Sequence, residues 1–148
     1  MQPVQFFFYG TLLDGSDNPV ARSLHLHLEP AGQAGVAGTL HAIPDPAGWF
    51  PAMTPGAGIV HGSLYRTKPG FGEDDLNRMD AYEDCDPENP AASLYRRQAI
   101  RLAGCGTLVQ AYVYNQPLPE GARLIAEGDF RAWLAATGLA PFSGLREA

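Results

Sequence analysis

Lysine is almost missing from this chain: Lys68 is the only one in 148 residues. No lysine-arginine run exists to track a phosphate backbone, and 16 acidic residues against 10 basic ones leave a formal net charge of −6. That balance argues against a nucleic-acid partner. Cysteine is nearly as scarce. Cys85 and Cys105 are the only two, and their separation matches no close metal or redox pattern. Two reduced thiols in a cytosolic protein are the simplest expectation, with a disulfide between these turn-like segments left open. No apolar stretch approaches the length of a membrane span, so no membrane partner is expected. Met1-Gln2-Pro3 lacks a basic start, and the phenylalanine run after it is too short for a signal core, so the expected location is the cytoplasm. Long helices should also be rare, because 17 glycines and 13 prolines punctuate the chain.

What is present suits one globular domain over residues 1–148. A hydrophobic fraction of 45% is enough for a core at this length. The most informative stretch is Gln5-Phe6-Phe7-Phe8 running into Tyr9-Gly10-Thr11-Leu12, with Asp14-Gly15 opening a polar loop. Three successive aromatics favour a buried strand. Gly10 permits a turn and a close approach of backbone to a ligand. Asn18 and Pro19 read as the N-cap and first residue of a helix. A strand, a glycine turn and a helix start together offer free N–H groups to an anionic ligand.

The second informative stretch is Leu76-Asn77-Arg78-Met79-Asp80-Ala81-Tyr82-Glu83. On a helix, Leu76, Met79 and Glu83 share one stripe and Tyr82 borders it. The spacing therefore predicts that Glu83 points where an apolar residue is expected, with Asp80 and Asp84 nearer the wet face. An inward carboxylate is costly to ionise, which prepares a general acid/base.

Strands are expected at Val4–Tyr9, Ala37–Ile43, Gly58–Arg66, Leu94–Leu102 and Leu108–Tyr114, the last two joined as a hairpin. Helices are expected at Pro19–Leu28, Asp74–Asp84 and Asp129–Ala136, with Gly138 as a stop. Two irregular stretches remain, Pro44–Gly56 and Cys85–Ser93, and both flank the motifs above. Strands and helices are interspersed without strict alternation, which predicts α+β. His25, His27, His41 and His61 have no ligand-like spacing, so no metal is expected, and neither a Ser-His-Asp set nor a phosphate loop is legible.

Taken in order, Tyr9-Gly10-Thr11-Leu12, Trp49-Phe50-Pro51-Ala52, Met79-Asp80-Ala81-Tyr82-Glu83, Tyr95-Arg96-Arg97 and Gly128-Asp129-Phe130 resemble gamma-glutamylcyclotransferase-like proteins. The resemblance is to the avirulence-induced-gene-like and gamma-glutamylamine cyclotransferase branch, and it runs from about Val4 to Leu134. It implies a small mixed β-barrel flanked by helices. It also implies an enzyme that cyclises a small-molecule gamma-glutamyl substrate to 5-oxoproline and releases an amine, without a cofactor. Glu83 falls at the family's catalytic glutamate. Tyr9, Gly10, Thr11 and Leu12 match the backbone cradle for the substrate α-carboxylate and the developing oxyanion. Phe50 and Pro51, with Trp49, look like the aromatic-proline loop beside the pocket, and Tyr95 and Tyr114 look like active-site tyrosines. Each of these also has a purely structural reading: a helix-end acid, a strand-end turn, a hydrophobic cluster under a loop, or half-buried packing tyrosines.

The chain departs from that family at three places. Leu13-Asp14 stands where many members carry a basic residue. Asp84 replaces the glycine that commonly follows the glutamate. The segment Asp84–Ser93 is longer and rich in acid and proline. An acidic rim would suit a cationic leaving group. Two other functions remain open on the same fold: a non-catalytic binding module for a small carboxylate metabolite, and an amide hydrolase. The oligomeric state is left open.

Overall fold

The structure, a computed structural model, describes residues 5–10 and 19–142. The chain begins with β1 (Gln5–Phe8), α1 (Pro19–Leu24) and β2 (Leu28–Ile43), followed by β3 (Phe50–Thr67) and α2 (Glu73–Tyr82). A short 3-10 turn at Pro90–Ala92 leads to β4 (Tyr95–Arg101), β5 (Leu108–Tyr114), β6 (Arg123–Leu124) and α3 (Phe130–Thr137). The six strands form one mixed sheet in the order β4-β5-β1-β3-β2-β6, in which only the β1–β5 pair is parallel. The sheet curls back on itself, because Val36 of β2 bridges Leu102 just past β4 and the Ala103 N–H donates to the Gly35 carbonyl at 2.8 Å. The result is a half-barrel with three helices among the described residues, an α+β fold as the sequence predicts.

Alternation along β1 divides the interior in two. Phe6 and Phe8 point toward α1 and α2, where they join Leu24, Met79, Tyr82 and the ring of Tyr95. Phe7 points to the other face, with Val36, Leu40, Val60, Val109, Ala111 and Phe130 of α3. Each of these large side chains loses nearly all its exposure, worth roughly 2–3 kcal/mol apiece before the entropy of ordering. α3 has both its ends marked in sequence. The Asp129 side chain accepts from the Ala132 N–H at 3.0 Å, and Gly138 closes the helix at φ 73°.

Three boundaries differ from the sequence expectation by more than two residues, and β6 was not expected. α1 stops at Leu24, because Leu28 is taken into the sheet opposite Thr67. β2 begins at Leu28, well before the expected Ala37. Pro30 and Gly35 conceal this portion, and a register shift between Pro30 and Gln33 accommodates it, with Gly32 at φ 103°. β3 begins at Phe50, inside the expected loop Pro44–Gly56, so that only the hairpin tip at 44–49 is irregular. Pro51 sits opposite Ala42, and the pairing skips from Thr54 to Ile59 across the exposed Pro55-Gly56-Ala57-Gly58 bulge. Val4 and Asn18, expected to open a strand and cap a helix, lie outside the described residues.

The start of α2 is pinned by a buried carboxylate. Asp75 accepts from the Gly72 N–H at 3.0 Å and from the Arg78 guanidinium, and lies 3.1 Å from His27 Nδ1. Burial opposes its ionisation, but these hydrogen bonds outweigh it and hold the carboxyl below its ordinary value. A carboxyl with a lowered folded-state value stabilises the protein above about pH 4 and loses that contribution as pH falls through the folded value. Asp75→Asn is therefore expected to cost about 2 kcal/mol at pH 7. The cost should shrink between about pH 4 and 3. Urea midpoints at pH 7 and pH 3 check both the size and the sign.

Candidate active site

The end of β1 and the start of β3 are locked together. A Cβ on Gly10 would lie 2.2 Å from Cγ of Pro51, so only glycine lets the two segments meet this closely. One residue earlier, the buried Tyr9 hydroxyl donates to the Tyr112 carbonyl at 2.6 Å and accepts from the Met53 N–H at 3.3 Å. Tyr95, at the start of β4, donates its hydroxyl to the Pro51 carbonyl. Its ring meets Tyr114 edge-on at 5.4 Å and Phe50 at 6.5 Å. Tyr95 faces Tyr114 across the β4–β5 ladder, as the expected hairpin requires. Gly10, Phe50, Pro51, Tyr95 and Tyr114 thus adjoin one another, while the Tyr9 ring stacks on Phe7 in the other half of the core. The hydroxyls of Tyr9 and Tyr95 both serve the backbone. Thr11 and Leu12, the remainder of the expected cradle, lie outside the described residues.

Glu83 closes α2. It is the half-buried C-cap residue, φ −85° and ψ 5°, and its N–H donates to Met79. The chain then turns sharply: the Asp84 N–H donates to Ala81 at 3.1 Å and the Cys85 N–H to Asp80 at 2.8 Å. This double closure needs a left-handed residue directly after the cap. Asp84 supplies it at φ 52°, the one non-glycine with positive φ among the described residues. The geometry explains why a glycine suits this position in the proteins the chain resembles. Asp84 also places a negative charge at the negative end of the helix. Asp84→Gly is expected to stabilise the protein by about 1 kcal/mol. A thermal melt of the two proteins side by side would show it, and an unchanged or lower midpoint would contradict it.

The expectation that Asp80 faces water is corrected. Asp80 is 6% exposed. Its carboxylate accepts from the Tyr112 hydroxyl at 2.6 Å and from Arg97 Nε at 3.0 Å, with a second Arg97 nitrogen at 3.4 Å. The apolar stripe alone understates the buried face of α2. Carboxylates at both margins are buried because partners meet them: Arg78 of the same helix, His27 and the Gly72 N–H for Asp75, and Arg97 and the Tyr112 hydroxyl from the strands for Asp80. Tyr112 and Tyr114 share a face as expected, but they do different work: Tyr112 holds α2, and Tyr114 packs against Tyr95.

The carboxylate of Glu83 is felt beyond its own helix. Burial raises the ionisation of Tyr9 well above the ordinary tyrosine value, and the charge of Glu83 adds to the effect. Tyr112 is raised likewise by burial, then by Asp80 and by Glu83. Both phenols remain neutral donors at any working pH. Cys85 is also pushed up, chiefly by burial, and is not joined to Cys105. Phe142, which the sequence did not single out, completes the wall. It is 2% exposed and meets Phe50 at 6.2 Å and Tyr82 at 6.1 Å, both edge-on. The only hint in sequence was an isolated aromatic after Gly138 and Pro141. Among the described residues, no group of three or more histidines, cysteines or acids is placed to hold a metal ion, and no helix is long and apolar enough to cross a membrane. These elements therefore bring the half-buried Glu83 carboxylate together with neutral hydroxyls, aromatic rings and a glycine turn.

Comparison with known proteins gives a consistent result. The family model described as gamma-glutamyl cyclotransferase, AIG2-like, matches residues 6–132. No curated protein matches the chain. Among solved structures, an AIG2-like protein from Mus musculus is 24% identical with a TM-score of 0.59, covering 81% of this chain and 82% of that one. A uropathogenic E. coli-specific protein, c4763, is 20% identical with a TM-score of 0.64, covering 93% and 98%. The allophanate hydrolase of Kluyveromyces lactis is 14% identical with a TM-score of 0.70, covering 93% of this chain but 22% of that one. At these identities the structural likeness concerns the fold.

Proposed function

This chain belongs to the AIG2-like gamma-glutamyl cyclotransferase family, and on that footing we propose that it converts a gamma-glutamyl amine or gamma-glutamyl amino acid to 5-oxoproline. The observation that supports the reading is Glu83: a half-buried carboxylate at the end of α2 whose charge is felt at the Tyr9 hydroxyl.

The chemistry suits a site with one carboxylate. The substrate's α-amino nitrogen attacks its own γ-carbonyl carbon, forming the lactam C–N bond. The bond from that carbon to the leaving amine breaks, and no water is consumed. The nucleophile is intramolecular, so the substrate itself supplies proximity, and the protein's task is to hold the reactive conformer. Glu83 takes a proton from the α-ammonium group and returns one to the departing amine. An ordinary glutamate, with a pKa of about 4.3, is a weak base for this, so the intramolecular nucleophile carries much of the rate. The backbone of the Tyr9–Leu12 segment binds the substrate carboxylate and the developing oxyanion. Phe50, Pro51, Tyr95 and Tyr114 line the site. The exposed acids Asp84, Asp86 and Glu88 beside Glu83 favour a cationic leaving group.

The test is a mass-spectrometric assay for 5-oxoproline, offering gamma-glutamyl-ε-lysine, gamma-glutamyl-alanine and glutathione. Release of 5-oxoproline supports the reading, and a preference for the lysine compound supports the cationic leaving group. Glutamate as the product would instead make the protein a hydrolase. Binding of a gamma-glutamyl compound without any turnover would make it a binding module.

A further inference from the structure

We propose that Tyr112 is a positioning residue: it ties the two halves of the candidate site to one strand and so sets the spacing between Glu83 and the Tyr9-Gly10 turn. The inference rests on the cyclotransferase reading, in which both halves must meet one substrate.

Tyr112 lies on β5, between β4 and β1 in the sheet. Two short hydrogen bonds join it to different elements. Its backbone carbonyl accepts from the Tyr9 hydroxyl, just past β1, at 2.6 Å. Its own hydroxyl donates to the Asp80 carboxylate of α2, also at 2.6 Å, within the range of a charge-assisted bond. Burial and then Asp80 push its ionisation upward, so the hydroxyl keeps the proton that this bond needs. One residue thus reaches the end of β1 and the end of α2.

Each bond is continued on its far side. The Tyr9 hydroxyl also accepts from the Met53 N–H at 3.3 Å, which ties the same point to β3. Asp80 also accepts from Arg97 Nε at 3.0 Å, and Arg97 is the residue opposite Tyr112 on the β4–β5 ladder. The grip on Asp80 reaches Glu83 through the backbone. The Cys85 N–H donates to the Asp80 carbonyl at 2.8 Å, and the Glu83 N–H donates to the Met79 carbonyl at 3.1 Å. Glu83 therefore sits inside a turn whose two ends, Asp80 and Cys85, are bonded to each other and whose first residue is bonded to the sheet.

The cyclisation gives Tyr112 no proton to move. Apolar side chains in place of this buried polar cluster would often be neutral or stabilising, so stability alone does not call for it. A hydroxyl–carboxylate bond fixes a distance and a direction. Direction matters here, because a misplacement of about 1 Å costs on the order of 100-fold in rate. Two groups carried on different elements, α2 and the end of β1, are where such an error would arise.

The test is Tyr112→Phe in the full chain, read by amide hydrogen exchange and by turnover. The Asp84 and Cys85 N–H groups, which close the end of α2, are expected to exchange about tenfold faster. Those of Asp75 and Leu76, which close on Gly72 at the other end, are expected to stay as they are. With gamma-glutamyl-ε-lysine or gamma-glutamyl-alanine, kcat is expected to fall about tenfold with KM little changed. In an Asp80→Asn background the same substitution should cost only about threefold, because the group it acts through is already weakened. An equal loss in that background overturns the proposal, since Tyr112 would then act by another route. So does an end of α2 that exchanges as in the wild type, faster exchange spread evenly along α2, or a loss confined to KM. A lower melting temperature with full kcat also overturns it, because the bond would then serve stability alone. Should Tyr112→Phe not fold, Asp80→Asn is read in the same two ways. The exchange measurement needs no substrate. A wild type that makes no 5-oxoproline, with a loosened helix end in Tyr112→Phe, sinks the cyclotransferase reading and leaves the tie standing. A wild type that makes 5-oxoproline, with kcat untouched in Tyr112→Phe, does the reverse.

Discussion

Glu83→Gln is expected to reduce kcat for 5-oxoproline release by about 10²- to 10⁴-fold, the usual contribution of a positioned acid/base. The same substitution should leave the fold intact and the thermal midpoint equal or slightly higher. Gln matches Glu in volume, and Glu83 is a half-buried cap residue whose side chain does not fill the core. The amide also removes a negative charge from a helix end that already carries Asp80 and Asp84, where the dipole disfavours it. An activity lost while stability holds or rises is the mark of a residue kept for chemistry at some cost to stability. The kinetic pattern separates the roles open to Glu83. A fall in kcat and kcat/KM with KM nearly constant means it moves protons in the transition state. A rise in KM alone means it binds the substrate's ammonium group, and the proton transfer must then be assigned elsewhere.

How much of this was readable beforehand depended on whether the signal was local. β5 was predicted with its observed bounds, Leu108–Tyr114, and α3 within a residue of them, because the turn at Gly104-Cys105-Gly106, the Asp129 cap and the Gly138 stop are written in adjacent residues. β2 and β3 were both cut short. Their missing portions contain Pro30, Gly35, Pro51 and the Pro55–Gly58 bulge, which argue for turns locally. They are held as strands only because each lies opposite the other along the hairpin. The motif residue Glu83 could be singled out, since it interrupts an apolar stripe. Asp80 was misplaced by the same stripe argument, which treats any other carboxylate on a helix as solvated. Its partners lie 17 and 32 positions away, and no pattern within the helix announces them.

Phe142→Ala is expected to have the largest effect on stability of any change near the site, about 3–5 kcal/mol, or a fall in Tm of roughly 10 °C. Residues 133–142 lie beyond the stretch matched by the family model, yet Phe142 is inside the core that the family motifs build. The chain is led there under tight control. The Trp49 N–H donates to Ala140 at 2.9 Å, and the Phe142 N–H donates to Trp49 at 2.7 Å. Gly48 runs so close to Pro141, at φ 121°, that a Cβ would lie 2.3 Å from the Pro141 carbonyl oxygen. Trp49 is braced from its other side by Trp133 of α3 at 5.4 Å and by the Arg123 guanidinium 5.1 Å from its ring. The ring of Phe142 is thereby wedged between Phe50, at the start of β3, and Tyr82, the residue before Glu83. Removing it opens a void between two walls that cannot close, since Phe50 is fixed by its place in the β2–β3 hairpin and Tyr82 by α2. Phe142→Leu should restore more than half of the lost stability, because it refills most of the volume. Turnover should follow the packing: at a temperature where Phe142→Ala is still folded, kcat should fall by roughly tenfold as the end of α2 loses its rigid seat. An Ala variant that melts with the wild type would mean that this C-terminal segment merely lies on the surface. A variant that melts early yet turns over at the full rate would mean that Glu83 is seated by Asp80 and its partners alone.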